Sequence, residues 1–457
     1  MSQLSQLFNF NVLYIKYKKL MTKKSENNFQ QSIQEIIILY KNNQVKEANL
    51  KSEKLLEDNQ NSFFLLNLNG IINITLKNWE KAINSLNKAL KKKPDYVEAY
   101  NNLGIVYNNL GETKKTIENF TKATALKKDY ANGYNGLGSV YNDLGKWEKA
   151  ILNYCDAIRY DPKHFEAKKN LINILSYYRP TSEIDNLIVQ ADKKLQKNIF
   201  HFKLSNKINN LDLSNFFKVC EDAIKNIINE TIYNETQIYR RNTLDLNCKR
   251  HFKVFNRFNI IPEYCFGCYK VQVEPRNVVE LFKLFFIFDN LKLPNNNIRK
   301  CMTEIRPQVK GAYKGLIYCS SLDEANQTMN IITPILKKQI SSNISITIRR
   351  GCSEFGIAHP TFKEIDKKPN EFMKYNKEWK NKENIIDEEL SLENQKKNKV
   401  VKDTLLGVSI SDALIMNNWL NYASNIGDKS FKKISENFYH SDFLKKLISS
   451  QLKNRSI

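Results

Sequence analysis

Glycine and proline are scarce in this chain, at 14 and 10 of 457 residues. Collagen-like repeats and Pro/Gly-rich disorder need far more of both residues, so the composition excludes them. Apolar runs are short as well, and none approaches the roughly 18 to 20 residues that a membrane-spanning helix requires. The composition, 42% hydrophobic and 26% charged, is typical of a packed, largely helical protein. At roughly 100–200 residues per domain, this length predicts two or three domains.

Several short motifs that identify enzymes are also missing. The chain has no phosphate-binding glycine loop, no GxSxG elbow and no HExxH pair. The apolar patch at 7–15 has its lysines after it, the reverse of a secretory signal. We therefore expect a cytoplasmic protein with no membrane association, whose eight cysteines are reduced thiols or metal ligands. Residues 1–28 form a basic N-terminal segment, within which Met21 is an alternative start to Met1.

Acidic residues are outnumbered, with 48 Asp and Glu against 71 Lys and Arg, a net charge of +23. Such an excess ordinarily indicates an anionic partner such as nucleic acid. Lysine far exceeds arginine, however, and asparagine and isoleucine are abundant throughout, as AT-rich codon usage produces. Solvated basic surfaces are therefore the simpler interpretation, and nucleic-acid binding stays an alternative.

The chain does contain an internal repeat. The stretches YNNLGIVYNNLGE and YNGLGSVYNDLGK are near copies, and Tyr100 and Tyr134 are 34 residues apart. The same period aligns three columns of mostly small residues: Ala48, Ala82, Thr116 and Ala150; Leu55, Ala89, Ala123 and Ala157; Gly70, Gly104 and Gly138. Small residues let two helices approach closely, so the period predicts a series of helical hairpins.

This pattern resembles that of the tetratricopeptide repeat (TPR) family. Repeats are predicted at 63–96, 97–130 and 131–164, with degenerate units at 29–62 and after Phe165. The array is therefore assigned to 29–180. The resemblance implies an all-α solenoid whose inner helices line a groove that binds a protein or peptide.

Asparagine recurs at the positions predicted to line that groove. The residues are Asn67, Asn101, Asn102, Asn108, Asn135 and Asn142. A side-chain amide both donates and accepts hydrogen bonds, so it can hold the backbone of an extended peptide. The column resembles the asparagine ladder of glycosyltransferase-associated repeats, and we predict these residues as the partner-binding set. The alternative is that asparagine is simply a frequent polar residue in this composition.

The pattern changes after the array. Residues 181–247 are predicted to be a helical connector and 248–360 a cysteine-rich α+β domain. Residues 361–457 are predicted to be a charged linker with C-terminal helices at 412–423 and 431–452, and the charged stretch 374–402 is either a long solvated helix or a mobile linker. In the α+β domain, the predicted strands are 269–274, 299–306, 312–320 and 344–350, and the predicted helices are 277–291 and 322–340. This βαββαβ order predicts a ferredoxin-like sandwich. The fold class is therefore α+β multidomain, with an N-terminal TPR solenoid.

Cysteine and histidine spacing indicates a metal site. Cys248 and His251 form a CxxH pair, and Cys265 and Cys268 form a CxxC pair. Two such pairs provide a tetrahedral ligand set, so we predict zinc as the cofactor. The predicted topology also places five cysteines at one edge of the sheet: Cys265, Cys268, Cys301, Cys319 and Cys352. The alternative is that they are ordinary buried residues.

The sequence thus predicts a protein-interaction adaptor, with two alternatives. The first is an enzyme acting on a protein substrate that the array selects, with His359 as an acid or base beside the cysteines. The second is an RNA-binding protein. The stretch 310–318, followed by 321–325, resembles the third strand and second helix of RNA-recognition motifs, although Leu316 stands where an aromatic residue is expected.

Overall fold

A computed structural model describes residues 26–200, 207–241, 246–306, 309–366, 369–394, 403–440 and 442–455. Met21 and nearly all of the predicted basic segment 1–28 lie outside the described residues. The chain divides into two units, one ending at His164 and one comprising Phe165–Ser391 and the C-terminal residues. Among the described residues, no helix combines the length and apolar character needed to cross a bilayer.

The first unit is a series of antiparallel helical hairpins. Its helices are α1 (Glu26–Lys41), α2 (Val45–Asp58), α3 (Phe63–Thr75), α4 (Trp79–Lys92), α5 (Val97–Asn109), α6 (Thr113–Leu126), α7 (Ala131–Asp143) and α8 (Trp147–Tyr160). Each second helix packs on its own partner and on the first helix of the next hairpin. The predicted hairpins at 63–96, 97–130 and 131–164 are confirmed, and the degenerate unit at 29–62 forms a hairpin as well.

The glycine column explains how closely the two helices of each hairpin approach. A Cβ atom at Gly70 would lie 2.8 Å from the side chain of Leu86, and one at Gly138 would lie 2.6 Å from the ring of Tyr154. Both of those side chains are fully buried, so a Cβ atom at either glycine would force the packed core to shift. Only glycine therefore permits this packing at the centre of the hairpin.

The second unit opens with helices and continues into a five-stranded sheet. Its elements before and within the sheet region are α9 (Phe165–Leu175), α10 (Leu187–Phe200), α11 (Asn210–Ile224), β1 (Gln237–Arg240), α12 (Cys248–Phe258), β2 (Tyr269–Glu274), α13 (Val278–Asn290), β3 (Arg299–Thr303), β4 (Tyr313–Cys319), α14 (Leu322–Gln339) and β5 (Ser345–Arg350). The strand order is β1-β3-β4-β2-β5, and every neighbouring pair is antiparallel.

Helices α13 and α14 pack on one face of this sheet. Alternate strand residues such as Val271, Val273 and Ile317 point to that face and are fully buried. At Gly315 a Cβ atom would lie 2.4 Å from Leu284 of α13, so the strand has no space for a side chain there. The residues between them, including Lys270 and Lys300, therefore lie on the opposite face.

The predicted start of α14 is confirmed. The Ser321 hydroxyl oxygen accepts a hydrogen bond from the backbone N–H of Glu324 at 3.1 Å, which satisfies one of the free donors at the helix N-terminus. Asn277 caps α13 in the same way, accepting from the N–H of Glu280 at 3.0 Å. Such caps can be recognised from sequence because they depend only on residues three positions apart.

The remaining elements are α15 (Ser353–Ala358), α16 (Trp379–Asn394), α17 (Ile410–Asn425) and α18 (Asp442–Arg455). Trp419 of α17 is fully buried, and its indole N–H donates to the backbone oxygen of Thr236 at 2.9 Å. The predicted C-terminal helix at 431–452 is wrong in its first part, because the described residues 434–440 are not helical. Helix α17 thus belongs to the core that carries the sheet.

A buried arginine joins three separate segments of this unit. Arg240 of β1 donates from Nε to Asp289 of α13 at 2.5 Å and from Nη2 to Asp412 of α17 at 3.0 Å. A third bond runs from Nη2 to the backbone oxygen of Gly407 at 2.6 Å. All three ionised side chains are at most 9% exposed. Two carboxylates and several hydrogen bonds thus offset the desolvation of the guanidinium.

Two expectations for the flanking regions are wrong. The region 181–247 is not only helical, because residues 237–240 form an edge strand that pairs with β3. The charged stretch after residue 374 is not simply solvated, because α16 packs on α12. Arg250 of α12 bonds Asp387 at 2.6 Å and Glu383 at 2.5 Å, and Ile386 between them is fully buried. Because α16 contains many charged residues, its apolar face could not be recognised in the sequence.

We expect replacement of Arg240 to destabilise the second unit strongly. Arg240→Met leaves two buried carboxylates without their counter-charge, and breaking such an arrangement costs about 3–5 kcal/mol. Arg257→Met is the matched control, because Arg257 is 49% exposed and pairs with Glu389 at the surface, where a pair contributes about 0–1 kcal/mol. Hydrogen exchange of peptides from 237–303 under increasing urea measures the difference. Equal protection in the two variants would contradict the role assigned to Arg240.

Candidate functional site

The first candidate site is the inner layer of the repeat array. Helices α3, α5 and α7, the first helices of successive hairpins, contact one another directly. Four of the six predicted partner-binding asparagines are at most 8% exposed: Asn67, Asn101, Asn102 and Asn135. Asn108 and Asn142 are partly exposed. The structure thus places all six on this layer, with different access to solvent.

Two of the buried amides bond to each other across neighbouring repeats. Asn102 donates from Nδ2 to Oδ1 of Asn67 at 2.8 Å, and Asn67 donates to the hydroxyl of Tyr96 at 3.4 Å. Buried polar groups are costly unless they are paired, so these bonds hold α3 and α5 in register. For this pair the amides have a clear structural role.

A second buried amide network was not anticipated from the sequence. Asn73 donates to Oδ1 of Asn49 at 3.2 Å and of Asn69 at 3.1 Å, and Asn69 donates to the hydroxyl of Ser52 at 2.9 Å. Asn69 and Asn73 are four residues apart on α3, so they lie on the same side of that helix. That spacing is the available sequence signal, but asparagine is too frequent in this chain for it to stand out.

The exposed part of the inner layer repeats with the array. Asn108 and Asn142 occupy equivalent positions of α5 and α7, and each follows a partly exposed tyrosine. Tyr107 carries the ammonium of Lys115 over its ring at 5.2 Å, and Tyr141 carries that of Lys149 at 5.8 Å. An amide and an aromatic ring thus recur at the same place in consecutive repeats.

The second candidate site lies where the cysteines gather at the end of the sheet. The four predicted zinc ligands Cys248, His251, Cys265 and Cys268 line one small pocket, together with Cys352. Across the described residues, no three His, Cys, Asp or Glu side chains are arranged to hold a metal ion. The four side chains therefore surround a shared space without forming a closed ligand set.

Separate elements bring these residues together. Cys248 and His251 lie one turn apart on α12, and Cys265 and Cys268 are in the turn that precedes β2. The N–H of Gly351, after β5, donates to the backbone oxygen of Cys268 at 2.7 Å, which places Cys352 beside that turn. The ring of His251 stacks on Tyr264 at 5.2 Å.

The thiols differ in their environment. Burial raises the pKa of Cys268 to about 11 and raises that of Cys265 well above the ordinary thiol value. Cys248 is exposed. The ammonium of Lys270 donates to Sγ of Cys352 at 3.3 Å. The pocket thus combines two thiols that resist ionisation with one that contacts a cation.

The expectation of five cysteines at one edge is wrong for Cys301. Cys319 pairs with Tyr269 at the end of β4, but Cys301 pairs with Gly315, four residues further along the strand. At about 3.3 Å per residue, this is a displacement of roughly 13 Å. Cys319 does lie at the edge, but its Sγ is 3.8 Å from the Thr328 hydroxyl on α14, on the helix-covered side.

His359 lies apart from the cysteines. Its ring Nε2 is 3.0 Å from the backbone oxygen of Asn259, and the ring packs near Trp379. In the part of the chain that the structure describes, it does not line the pocket formed by the cysteines. The geometry therefore gives no support to an acid or base role for His359 beside these thiols.

A third site, which we call the sheet-face pocket, was missed from the sequence. It has a volume of about 440 Å³ and lies on the face of the sheet opposite α13 and α14, where Lys270, Lys300, Lys314, Arg349 and Tyr318 line it. These residues come from four different strands. Only the strand register places them together, so no local motif could have shown the site.

The environments of the thiols predict their order of reaction in metal-free protein. At pH 7.5 we expect N-ethylmaleimide to modify Cys248 first, because it is exposed and a maleimide can reach it. Cys265 should react only slowly, since burial both shields it and raises its pKa. Peptide mass spectrometry after chelator treatment gives the order, and urea-unfolded protein serves as the control. Equal rates of modification of Cys248 and Cys265 in the folded chain would contradict the environments described for these two thiols.

Comparison with known proteins supports the first unit's assignment. Models described as TPR repeat and tetratricopeptide repeat match residues 75–111, 97–130 and 131–164. No curated protein matches the chain. The matches therefore concern the repeats and leave the second unit without a counterpart in this comparison.

Among solved structures, the chain is similar to several repeat proteins. MamA from Desulfovibrio magneticus RS-1 is 20% identical over 32% of this chain and 84% of that chain, with a TM-score of 0.29. TTC0263, a TPR protein of Thermus thermophilus, is 15% identical over 43% and 91%, with a TM-score of 0.30. The first TPR of Spaghetti (RPAP3), solved with an HSP90 peptide, is 23% identical over 24% and 89%, with a TM-score of 0.24.

Tetratricopeptide repeats form scaffolds for protein–protein interaction, because stacked hairpins create an extended binding surface. The 34-residue period, the hairpins that it produces and the matching family models agree on the same residues. Residues 75–164 of this chain are therefore tetratricopeptide repeats.

Proposed function

We propose that this protein is an adaptor whose repeat groove binds the backbone of an extended protein segment. The observation that carries the proposal is the recurrence of a partly exposed tyrosine and asparagine in consecutive repeats, at Tyr107–Asn108 and Tyr141–Asn142. Equivalent groups at a constant spacing suit a ligand that is itself a repeating chain. The amides pair with peptide N–H and C=O groups, and the rings supply apolar contact.

We propose different roles for different members of the predicted asparagine set. Asn67 and Asn102 bond to each other and serve the array, whereas Asn108 and Asn142 have the access to solvent that a partner needs. Asn101 and Asn135 occupy equivalent buried positions on α5 and α7. We assign the direct contacts to Asn108 and Asn142, and a supporting role to the buried four.

For the second unit we propose a ferredoxin-like sandwich extended by one strand. The βαββαβ order from β2 to β5, the strand order β3-β4-β2-β5 and the position of α13 and α14 on one face support it. Strand β1 then continues the sheet beyond β3. Helices α13 and α14 lie on the first face, and the sheet-face pocket lies on the second.

Zinc remains our proposal for the pocket that the cysteines share, with Cys248, His251, Cys265 and Cys268 as ligands. Support comes from their common pocket and from their two-residue spacings. Thiolate and imidazole are the ligands that structural zinc prefers. Since the four side chains do not form a closed set, binding requires them to move together, and we expect it to order the turn at 263–268.

The repeat groove is tested by replacing its two exposed amides together. Immobilised Asn108→Ala/Asn142→Ala protein should lose the partner that the wild-type chain captures from a lysate of its own cells, with binding weakened by about 1–3 kcal/mol, because peptide groups lose their hydrogen bonds. Quantitative mass spectrometry of the captured proteins, followed by titration of the enriched partner, measures the loss.

The matched control is Asn153→Ala. Asn153 lies on α8, a second helix, and its side chain donates to the backbone oxygen of Lys149 at 2.8 Å. We expect it to bind as the wild type does, with all three proteins unfolding at similar temperatures. Capture of the same partner by the double variant and the wild type would overturn the groove assignment.

The zinc proposal predicts metal in the purified chain. Elemental analysis should find about one equivalent of Zn²⁺, because four protein ligands close its coordination shell. Cys268→Ser should abolish retention, since it removes a central ligand. Cys155→Ser should not, because Cys155 lies on α8 of the repeat array. Full loading of both variants, or the absence of metal from wild-type protein purified with added zinc, would reject the site.

A further inference from the structure

The sheet-face pocket has walls as well as a floor. The sheet forms the floor, and the side chains of Phe252 from α12, Ile357 from α15 and Val309 lie at its border. A volume of about 440 Å³ falls in the range of roughly 300–1,000 Å³ that is usual for small-molecule sites. The pocket is therefore enclosed at its border and large enough for a small ligand.

Positive charge dominates its lining. Eight lining residues are Lys or Arg and two are Glu. Part of this charge is neutralised internally, because Glu304 bonds Lys314 at 3.0 Å and Arg306 at 2.8 Å and is itself fully buried. Arg306 also pairs with Glu354. The other Lys and Arg side chains of the lining have fewer acidic partners.

Lys270 and Lys300 are pocket cations that are held by groups other than carboxylates. Lys300 donates to the amide oxygen of Gln237 at 3.1 Å and to the hydroxyl of Tyr239 at 3.4 Å. Lys270 is 7% exposed, lies over the ring of Tyr318 at 5.1 Å and donates to Sγ of Cys352 at 3.3 Å. Within the described ranges, no carboxylate lies within 4.0 Å of either ammonium. Neutral groups hold both in place, which leaves their charge available to a ligand.

The positive charge of the pocket affects the pKa of Lys300. Burial, followed by the neighbouring charges of Lys270 and Arg306, lowers its pKa to about 8. Cys352 and Glu304 act in the opposite direction but do not compensate. An anion bound between the two lysines would reduce the repulsion that Lys300 experiences.

The geometry favours a compact anion over an RNA strand. RNA-binding sheets stack bases on exposed aromatic faces. Here the ring of Tyr318 carries the ammonium of Lys270, and the ring of Tyr239 carries that of Lys300 at 5.3 Å. Leu316, which lies opposite Lys300 in the sheet, provides an apolar surface beside the charged groups.

We propose that the sheet-face pocket binds a small organic phosphate, with the phosphate held between Lys270 and Lys300 and the rest of the molecule against Leu316. Lysine provides a point charge with several donors, which suits the oxygens of a phosphate group. This site is independent of the repeat groove, because all of its residues belong to the second unit.

The test uses the full chain and isothermal titration with four probes: inorganic phosphate, pyrophosphate, ribose 5-phosphate and adenosine 5′-monophosphate. We expect at least one organic phosphate to bind more tightly than inorganic phosphate does. Lys300→Met should weaken that binding at least tenfold, because the methionine keeps the stem and loses the charge. Lys337→Met should bind as the wild type does, since Lys337 is exposed on α14, across the sheet.

Arg349→Gln is a second variant that controls for a folding defect in Lys300→Met. Arg349 also lines the pocket but is 53% exposed, so its loss should leave the fold intact and weaken binding a few-fold. A single-stranded RNA oligonucleotide is titrated in parallel. The proposal is overturned if the wild type binds no organic phosphate, if it binds only the RNA, or if Lys300→Met and Arg349→Gln both bind as tightly as the wild type.

Discussion

The ion pairs of Arg240 with Asp289 and Asp412 are the contact on which the second unit depends most. They join strand β1, helix α13 and helix α17, which are far apart in sequence. Because β1 is only four residues long, its pairing with β3 needs this anchor on the buried side. On the other side of the same strand, Gln237 and Tyr239 hold the ammonium of Lys300. The shape of the sheet-face pocket therefore follows from a buried ion pair.

Features set by local spacing could be predicted from the sequence. The hairpins follow from the 34-residue period, since glycine is the residue that fits against Leu86 and Tyr154. Strand β2 and helices α13 and α14 follow from apolar periodicity and from caps at Asn277 and Ser321. The two-residue spacings also identified cysteines that the fold brings to one pocket.

Features set by tertiary contacts could not be predicted. The period gives the repeat position of Asn67 and Asn102 but not that they bond to each other. Strand β1 is too short for its alternation to be distinguished from chance, and the charge of α16 concealed its packing on α12. The displacement of Cys301 and the grouping of Lys270 with Lys300 depend on strand register, which a single sequence does not specify.

We expect the chain to combine a protein-binding groove with a separate pocket for a small anion. Hydrogen–deuterium exchange of the full chain, with each ligand added in turn, tests it most directly. The captured protein partner should slow exchange in peptides from 97–143, and the organic phosphate should slow it in peptides from 237–240, 269–274 and 299–318. Protection of the same peptides by both ligands, or of neither region by its own ligand, would contradict the account.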